Sequence, residues 1–255
     1  YCNTQHSITE QINSAIEFHT SRNRSADKYL AYFQAGTNTF ADTDTLNRLY
    51  SEALAHPEID GIIIGTRPDC ISSEILDLLE DFSHNYYVAV EYGIESTSDV
   101  ILRHINRGHD YATAIQAVAA TKARNIDVGA HFILGLPYET REEILAQTAT
   151  INALNLDIVK FHQLQIYQNT PMAEEWAQHK ERFLFAKDFD VDSYVELMVD
   201  IVRRIAPTIA IERFASQAPR HLIINSPLGG IRMDALKNRI VNRLTSLNAT
   251  QGDLL

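Results

Sequence analysis

DVGAHFILGLPYETREEILAQ, residues 127–147, is the stretch that decides the fold. The apolar run Val128–Leu134 predicts a buried strand, and the turn-forming residues Gly135-Leu136-Pro137 end it. Thr140 and Glu143 then form a capping box, in which a hydroxyl and a carboxylate satisfy each other's exposed backbone N–H groups at a helix start. The stretch therefore predicts a strand, a loop and a capped helix in direct succession.

The same alternation of strand and helix recurs on both sides of this stretch. The predicted strands are Tyr29–Phe33, Gly61–Gly65, Tyr87–Tyr92, Val128–Leu134 and Ile158–Ile166. Such alternation predicts a parallel sheet, because each helical crossover returns the chain to the same edge. A barrel and a doubly wound sheet both fit. We favour a barrel, because polar residues gather at the strand ends and no G-x-G-x-x-G turn follows a strand.

Five predicted strands and one more expected before Tyr1 make six, fewer than the eight of a closed barrel. The predicted fold is therefore α/β, an incomplete (β/α)6 TIM-like barrel whose first strand precedes the printed sequence. After Pro171 the pattern changes to the helices Met172–His179 and Ser193–Ile205, the strand Ile209–Phe214 and a helix around Asp234–Leu247. We predict a barrel core over residues 1–170 and a C-terminal extension over residues 171–255 that packs on the barrel.

Composition narrows the function classes. The chain has 255 residues and a formal net charge of −11, which disfavours broad binding to nucleic-acid phosphates but leaves room for a local basic patch. No apolar run approaches the roughly 20 residues of a membrane helix. Cys2 and Cys70 are the only cysteines, so we expect no disulfide framework and a cytoplasmic location. The opening residues contain neither an initiator Met nor a signal segment, and we expect further sequence upstream.

Polar side chains follow or interrupt every predicted strand, although a strand buried on both faces should be apolar. We expect them to converge on a ligand or a wet cleft, because burying them unpaired would cost several kcal/mol each. The substrate-side candidates are Arg67, Asp69, Glu91, His131, Lys160 and His162.

Five segments together resemble a family of radical S-adenosylmethionine (SAM) proteins. They are Tyr1-Cys2, Tyr32–Thr39, Gly65–Cys70, Ile105–His109 and Ile133–Pro137. Each segment alone is a weak signal, and the five in matching order cover nearly the whole chain. Relatives of this family include the radical SAM domain of the elongator catalytic subunit and the oxygen-independent coproporphyrinogen oxidases.

The resemblance implies a [4Fe–4S] cluster held by three thiolates, which are soft anionic ligands that suit iron. Cys2 looks like the last of these three cysteines, and the other two are expected just upstream of Tyr1. Cys70 follows another strand and cannot replace them. The chain as printed is therefore expected to hold no stable cluster and to be inactive.

The resemblance also assigns residues to SAM. The strand end Gln34-Ala35-Gly36-Thr37 resembles the segment that receives the SAM amino group, and Glu95-Ser96 resembles a G-x-Q-S pattern whose Gln bonds the ribose hydroxyls. Arg107 resembles the arginine that pairs with the SAM carboxylate, for which a guanidinium fork is well suited. Residues 133–135, represented by Ile133 and Gly135, resemble the segment that packs on adenine.

By the same resemblance, the protein reductively cleaves SAM to methionine and a 5′-deoxyadenosyl radical that takes hydrogen from an unknown substrate. An external electron donor of the flavodoxin or ferredoxin type is implied, and the elongator relationship suggests RNA as a substrate class. Lys160, His162 and His131 are the candidate catalytic residues.

Several alternatives stay open at this level. Cys2 fits a lone surface thiol, Cys70 a packing residue, and His131 and His162 core histidines. Arg107 and Glu95 could instead complement helix dipoles, and Lys160 could extend its amine to a sheet edge. Two other functions also fit: a barrel lyase with Lys160 as Schiff-base nucleophile, and a non-catalytic protein that binds SAM or another nucleotide.

Overall fold

The computed structural model describes residues 6–186, 189–225 and 228–255. The described strands form one six-stranded sheet in the order β1-β2-β3-β4-β5-β6. The pairs β1–β2, β2–β3 and β5–β6 are parallel. The strands are β1 (Tyr29–Phe33), β2 (Ile59–Thr66), β3 (Tyr87–Glu95), β4 (Asp127–Leu134), β5 (Ile158–Gln163) and β6 (Ala210–Arg213).

Helices alternate with the strands, as the sequence predicted. They are α1 (Ile8–Thr20), α2 (Thr43–Leu54), α3 (Ser73–Ser83), α4 (Asp99–His104), α5 (Tyr111–Lys122), α6 (Arg141–Ala153), α7 (Pro171–Gln178), α8 (Val191–Val202) and α9 (Met233–Ser246). Capping boxes at Ser7–Glu10 and Thr140–Glu143 open α1 and α6. Among the described helices, none combines the length and apolarity needed to cross a membrane.

The strand predicted at Ile209–Phe214 is present as β6. It belongs to the predicted C-terminal extension, and the structure adds that β6 is hydrogen-bonded in parallel to β5 as the sixth strand of the described sheet. The four residues of β6 alternate between exposed and half-buried side chains, so their own pattern identifies no partner. Only the tertiary pairing of Ile158 with Ala210 and of Val159 with Ile211 settles the assignment.

The chain divides into two compact units. One holds residues up to Gly93 together with Thr113–Gly129, and the other holds Ile94–Ala112 and Ala130–Leu255. In the second unit, α8 packs against α6 and α9 and buries Tyr194, Leu197 and Met198 among other side chains. The predicted domain boundary at residue 170 is not tested by this division and stays a prediction.

Gly61 is required by the close approach of β2 and β3. A Cβ at Gly61 would lie 2.2 Å from the carbonyl oxygen of its partner Tyr87, a backbone atom that cannot rotate away. We expect Gly61→Ala to lower the free energy of unfolding by about 3 kcal/mol, the upper end of the usual cost of overpacking.

Urea unfolding measures this cost, with Gly65→Ala as the matched control. Gly65 lies on the same strand, and its added Cβ would stay 3.3 Å from the nearest atom, the carbonyl oxygen of Phe33. The control is expected to lose much less stability. Equal losses for the two variants would contradict the steric explanation.

Candidate functional site

The loop after β1 is held in place by hydrogen bonds from Asn38, and its first residues are exposed. The Asn38 side-chain amide donates to the carbonyl oxygens of Phe33 at 2.8 Å and Gly65 at 2.9 Å, which ties the loop to the ends of β1 and β2. Gln34, Ala35 and Gly36 are exposed, and Thr37 is half-buried. Gly36 has φ +77°, and no atom lies within 4 Å of the position that a Cβ would take there, so a ligand could approach the backbone closely.

Glu95 ends β3 in a strained conformation. Its φ of 71° lies in the left-handed region, which non-glycine residues adopt rarely. The residues that do adopt it are often found at functional sites. Its Oε1 lies 3.3 Å from a terminal guanidinium nitrogen of Arg107, and the side chains are 17% and 23% exposed. Burial raises the pKa of Glu95, while the positive charges of Arg107 and His131 oppose that rise. The pair offers a ligand one carboxylate and one guanidinium.

His131 and His162 lie side by side on β4 and β5. Nε2 of His162 is 3.2 Å from Nδ1 of His131, and the rings stack with centroids 5.1 Å apart. One nitrogen must donate and the other accept, so the two rings share one proton at this contact. Both side chains are half-buried rather than enclosed in the core. This arrangement can hold a proton at either ring.

Lys160 lies on β5 two residues before His162 and is fully enclosed, with 1% of its side chain exposed. Its Nζ lies 2.9 Å from Oε1 of Glu212, a residue that the sequence analysis did not single out. An amine that is enclosed in this way and held by a carboxylate is poorly placed to attack a carbonyl compound. The contact therefore weighs against the Schiff-base alternative.

The other substrate-side candidates form hydrogen bonds or ion pairs with nearby protein side chains. The Tyr32 hydroxyl donates to Oε2 of buried Glu91 at 2.5 Å. Arg67 makes a two-point ion pair with Asp69, with N–O distances of 2.9 and 2.5 Å. The expectation that these charges await a ligand is thus only partly met, because protein partners already satisfy much of their bonding capacity.

Glu139, which the sequence analysis missed, organises two of the predicted SAM segments. Its Oε2 accepts hydrogen bonds from the backbone N–H groups of Gly135 at 3.0 Å and Leu136 at 2.9 Å. Its Oε1 accepts from the amide of Gln147, whose own oxygen accepts from the N–H of Thr97 at 3.0 Å. A carboxylate closely following a strand-end glycine is the sequence signal that could have identified this role.

Three further predicted SAM residues lie around this network. Ser96 is fully buried, and its hydroxyl contacts the Gln147 oxygen at 3.5 Å and accepts from the N–H of Ser98. Ile133 lies two residues beyond His131 on β4 and is half-buried. Gly135 has φ +79°, and a Cβ there would lie 2.4 Å from the Phe185 ring, so glycine is required. Their roles toward SAM stay predictions.

Cys2 falls outside the described residues. Within the described ranges, no group of three His, Cys, Asp or Glu side chains is arranged to hold a metal ion. Cys70 is half-buried in a short 3₁₀ turn, where its carbonyl oxygen accepts from the Thr39 hydroxyl at 2.5 Å. The iron-binding role of Cys2 therefore stays a prediction.

The buried carboxyl of Glu139 makes stability depend on pH. Burial raises its pKa from 4.5 to about 7, and hydrogen bonds from Gln147, Leu136 and Gly135 oppose the rise. The folded protein therefore binds this proton more tightly than the unfolded chain. The resulting stability is fully present below about pH 4.5 and is lost as the pH rises to about 7, a change of about 3 kcal/mol.

We expect Glu139→Gln to remove this decline, because an amide does not titrate. Urea unfolding across that pH range compares the variant with the unsubstituted protein, and Glu142→Gln in the exposed first turn of α6 is the control. The control should keep the full decline. An unchanged pH slope in Glu139→Gln would rule out Glu139 as its source.

The strands of the sheet alternate with helices, and polar residues lie at the carboxyl ends of several strands, which is where α/β barrel proteins place their ligand sites. Comparison with known proteins gives the family. Residues 20–146 match the model of the radical SAM superfamily, and residues 156–245 match the radical SAM C-terminal domain. The chain belongs to the radical SAM superfamily.

Two proteins and one structure illustrate the relationship. The chain is 29% identical over 253 residues to protein MJ0486 of Methanocaldococcus jannaschii, covering 99% of this chain and 76% of that protein. It is 30% identical to protein YtqA of Bacillus subtilis, covering 92% and 73%. The structure of archaeal Methanocaldococcus infernus Elp3 with an N-terminal deletion has a TM-score of 0.76 at 17% identity, covering 96% of this chain and 62% of that one.

These findings confirm the family identification and its elongator relationship. They also confirm the fold class, an incomplete α/β barrel of the radical SAM type. The cofactors of the superfamily are SAM and a [4Fe–4S] cluster. Enzymatic activity is general in this superfamily, while the reaction, the substrate, the electron donor and the cytoplasmic location stay predictions for this chain.

Proposed function

We propose that this protein is a radical SAM enzyme that reductively cleaves SAM at a [4Fe–4S] cluster and uses the resulting 5′-deoxyadenosyl radical to take hydrogen from a substrate. The observation that carries the proposal is the half-buried pair of Glu95 and Arg107 at the strained end of β3. The pair supplies the acceptor and the cation that the ribose hydroxyls and the carboxylate of SAM require.

The other residues that the family resemblance assigns to SAM fit the same cofactor by their chemistry. Glu95 would accept from the ribose hydroxyls and Arg107 would bind the carboxylate, so the two would exchange part of their mutual ion pair for ligand contacts. The exposed residues Gln34, Ala35 and Gly36, together with half-buried Thr37, would leave room for the SAM amino group, with Gly36 permitting close approach. Cys2 would supply one thiolate to the cluster. Ser96 would act indirectly, because its hydroxyl is buried against Gln147.

Ile133, Gly135 and their support by Glu139 fit an adenine-binding segment. The Glu139 carboxylate fixes the two N–H groups that follow β4. This would hold the turn in place beside Ile133, whose side chain would pack on a planar ring. Glu139 is thus a positioning residue in this proposal.

His131, His162 and Lys160 are proposed to act on the substrate side of the site, as the candidate catalytic residues. The two imidazoles can hold or pass one proton between Nδ1 of His131 and Nε2 of His162. Lys160 would keep Glu212 oriented toward the substrate side. A flavodoxin or ferredoxin type of protein would supply the electron, and RNA remains one substrate class to test because of the elongator relationship.

The test is reductant-dependent formation of 5′-deoxyadenosine. The full-length protein is expressed anaerobically, its iron and sulfide are measured, and it is incubated with SAM and dithionite. We expect both a cluster and the nucleoside product. SAM binding without either would contradict the proposal and favour the non-catalytic binder, and borohydride trapping of Lys160 with a carbonyl compound would favour the lyase.

A further inference from the structure

A cavity of about 500 Å³ lies between the end of β6 and the first turn of α9. Its apolar wall includes Phe214, Ala215, Met233 and Leu236. The cavity is at the carboxyl end of a sheet strand, which is where α/β barrels bind their ligands. Its size suits a small organic molecule rather than a single ion.

A second, smaller cavity of about 160 Å³ adjoins the first and shares Ser216, Gln217 and Met233 with it. Its wall is held rigidly by side-chain amides. Gln163 donates to the carbonyl oxygen of Ser216 at 2.7 Å and accepts from its N–H at 2.9 Å. Buried Asn225 likewise bridges the backbone of Leu164 and Ile166. A wall fixed in this way is already organised for binding.

The two carboxylates that line the larger cavity are already neutralised. Glu212 pairs with Lys160 at 2.9 Å, and Asp234 pairs with Arg232 through two contacts of 3.1 Å. Neither carboxylate is therefore needed to balance the other cations of the cavity walls.

Three cations in these walls have no such counter-charge. Arg213 and Lys237 line the larger cavity, and Arg220 lines the smaller one. Among the described residues, no carboxylate lies within ion-pair distance of these three. Most arginines of this acidic chain do form ion pairs, for example Arg239 with Asp192 at 2.9 Å. The cavities are thus a positive region in a protein of net charge −11.

We propose that the adjoining cavities bind a small molecule that has an apolar body and at least two anionic groups, either carboxylates or phosphates. Arg213 and Lys237 would bind one anionic group, and Arg220 would bind the other. The uncapped first turn of α9 would add a favourable dipole at the larger cavity. Identifying this molecule as the substrate rests on the proposed function, because Glu212 links the cavity to Lys160, whereas anion binding itself does not.

The experiment measures binding of pyrophosphate and of citrate to the full-length protein by calorimetry, with acetate as a monoanionic reference. These two probes distinguish phosphate from carboxylate ligands. We expect one of them to bind more tightly than acetate. The double substitution Arg213→Gln and Lys237→Gln should weaken that binding at least about tenfold, which corresponds to about 1.4 kcal/mol.

Arg239→Gln is the matched control, because Arg239 lies two residues after Lys237 on α9 but is ion-paired. The control should bind as the unsubstituted protein does. The proposal is overturned if neither probe binds better than acetate, if the double variant binds equally well, or if only a short single-stranded RNA binds at these residues. None of these results depends on the cluster, so they are separate from the 5′-deoxyadenosine assay.

Discussion

Cys2→Ala is expected to reduce cluster iron, sulfide and 5′-deoxyadenosine formation to background in the full-length protein. Three thiolates hold three irons of such a cluster, and an alanine cannot replace one of them, because the methyl group has no donor atom. Loss of one ligand also exposes the cluster to solvent and oxidant. The measurement combines iron and sulfide analysis with chromatography of the reaction mixture after anaerobic reconstitution.

Cys70→Ala provides the control within the same chain. Cys70 is the other cysteine, and its described surroundings are a 3₁₀ turn tied to Thr39 rather than a group of metal ligands. We expect this variant to keep its cluster and its activity. Full iron content in Cys2→Ala, or loss of iron in Cys70→Ala, would overturn the assignment of Cys2.

Arg107→Ala is expected to weaken SAM binding by two or more orders of magnitude. Removing one partner of a partly buried charge pair costs about 2–5 kcal/mol, because the remaining charge loses its compensation. Here the remaining charge is Glu95, whose pKa is already raised by burial and would rise further without Arg107. Equilibrium dialysis with labelled SAM measures the affinity, and nucleoside formation should fall in parallel.

Two variants separate ligand binding from a general loss of structure. Arg103→Ala removes an exposed arginine from α4, one turn before Arg107, and should leave SAM affinity unchanged. Glu95→Gln keeps a hydrogen-bonding oxygen at the position that resembles the Gln of the G-x-Q-S pattern, so it should retain most of the affinity. If Arg107→Ala binds SAM normally, Arg107 serves only the fold and the SAM-binding proposal loses its main support.

The candidate site could be predicted in part. His131, His162 and Lys160 were singled out as polar residues on predicted strands, and Glu95 and Arg107 by the family resemblance. The structure places all five in one compact unit. What the sequence could not supply was their pairing. Arg107 lies 12 positions after Glu95, and Glu212 lies 52 positions after Lys160, so neither contact follows from local spacing.

Glu139 and Gln147 are two residues of the site that the sequence pattern did not identify, again because their contacts are distant in the chain. Both lie on or before α6 and look like ordinary helix residues, yet they connect the loop after β4 with the turn at Thr97, some 50 residues earlier. A side chain that bonds to a distant backbone leaves no periodic signal, because any polar residue of suitable length would fit the local pattern.

The sequence by itself determined the alternation of strands and helices and the capping boxes at Ser7 and Thr140, since these depend on residues near one another in the chain. It also determined the family, through five short segments in matching order. Only the tertiary structure decided that Ala210–Arg213 joins β5, that Lys160 is held by Glu212, and that Arg213, Arg220 and Lys237 line adjoining cavities. The physical reason is that strand pairing and charge compensation depend on which surfaces meet after folding, and a local pattern does not encode that choice.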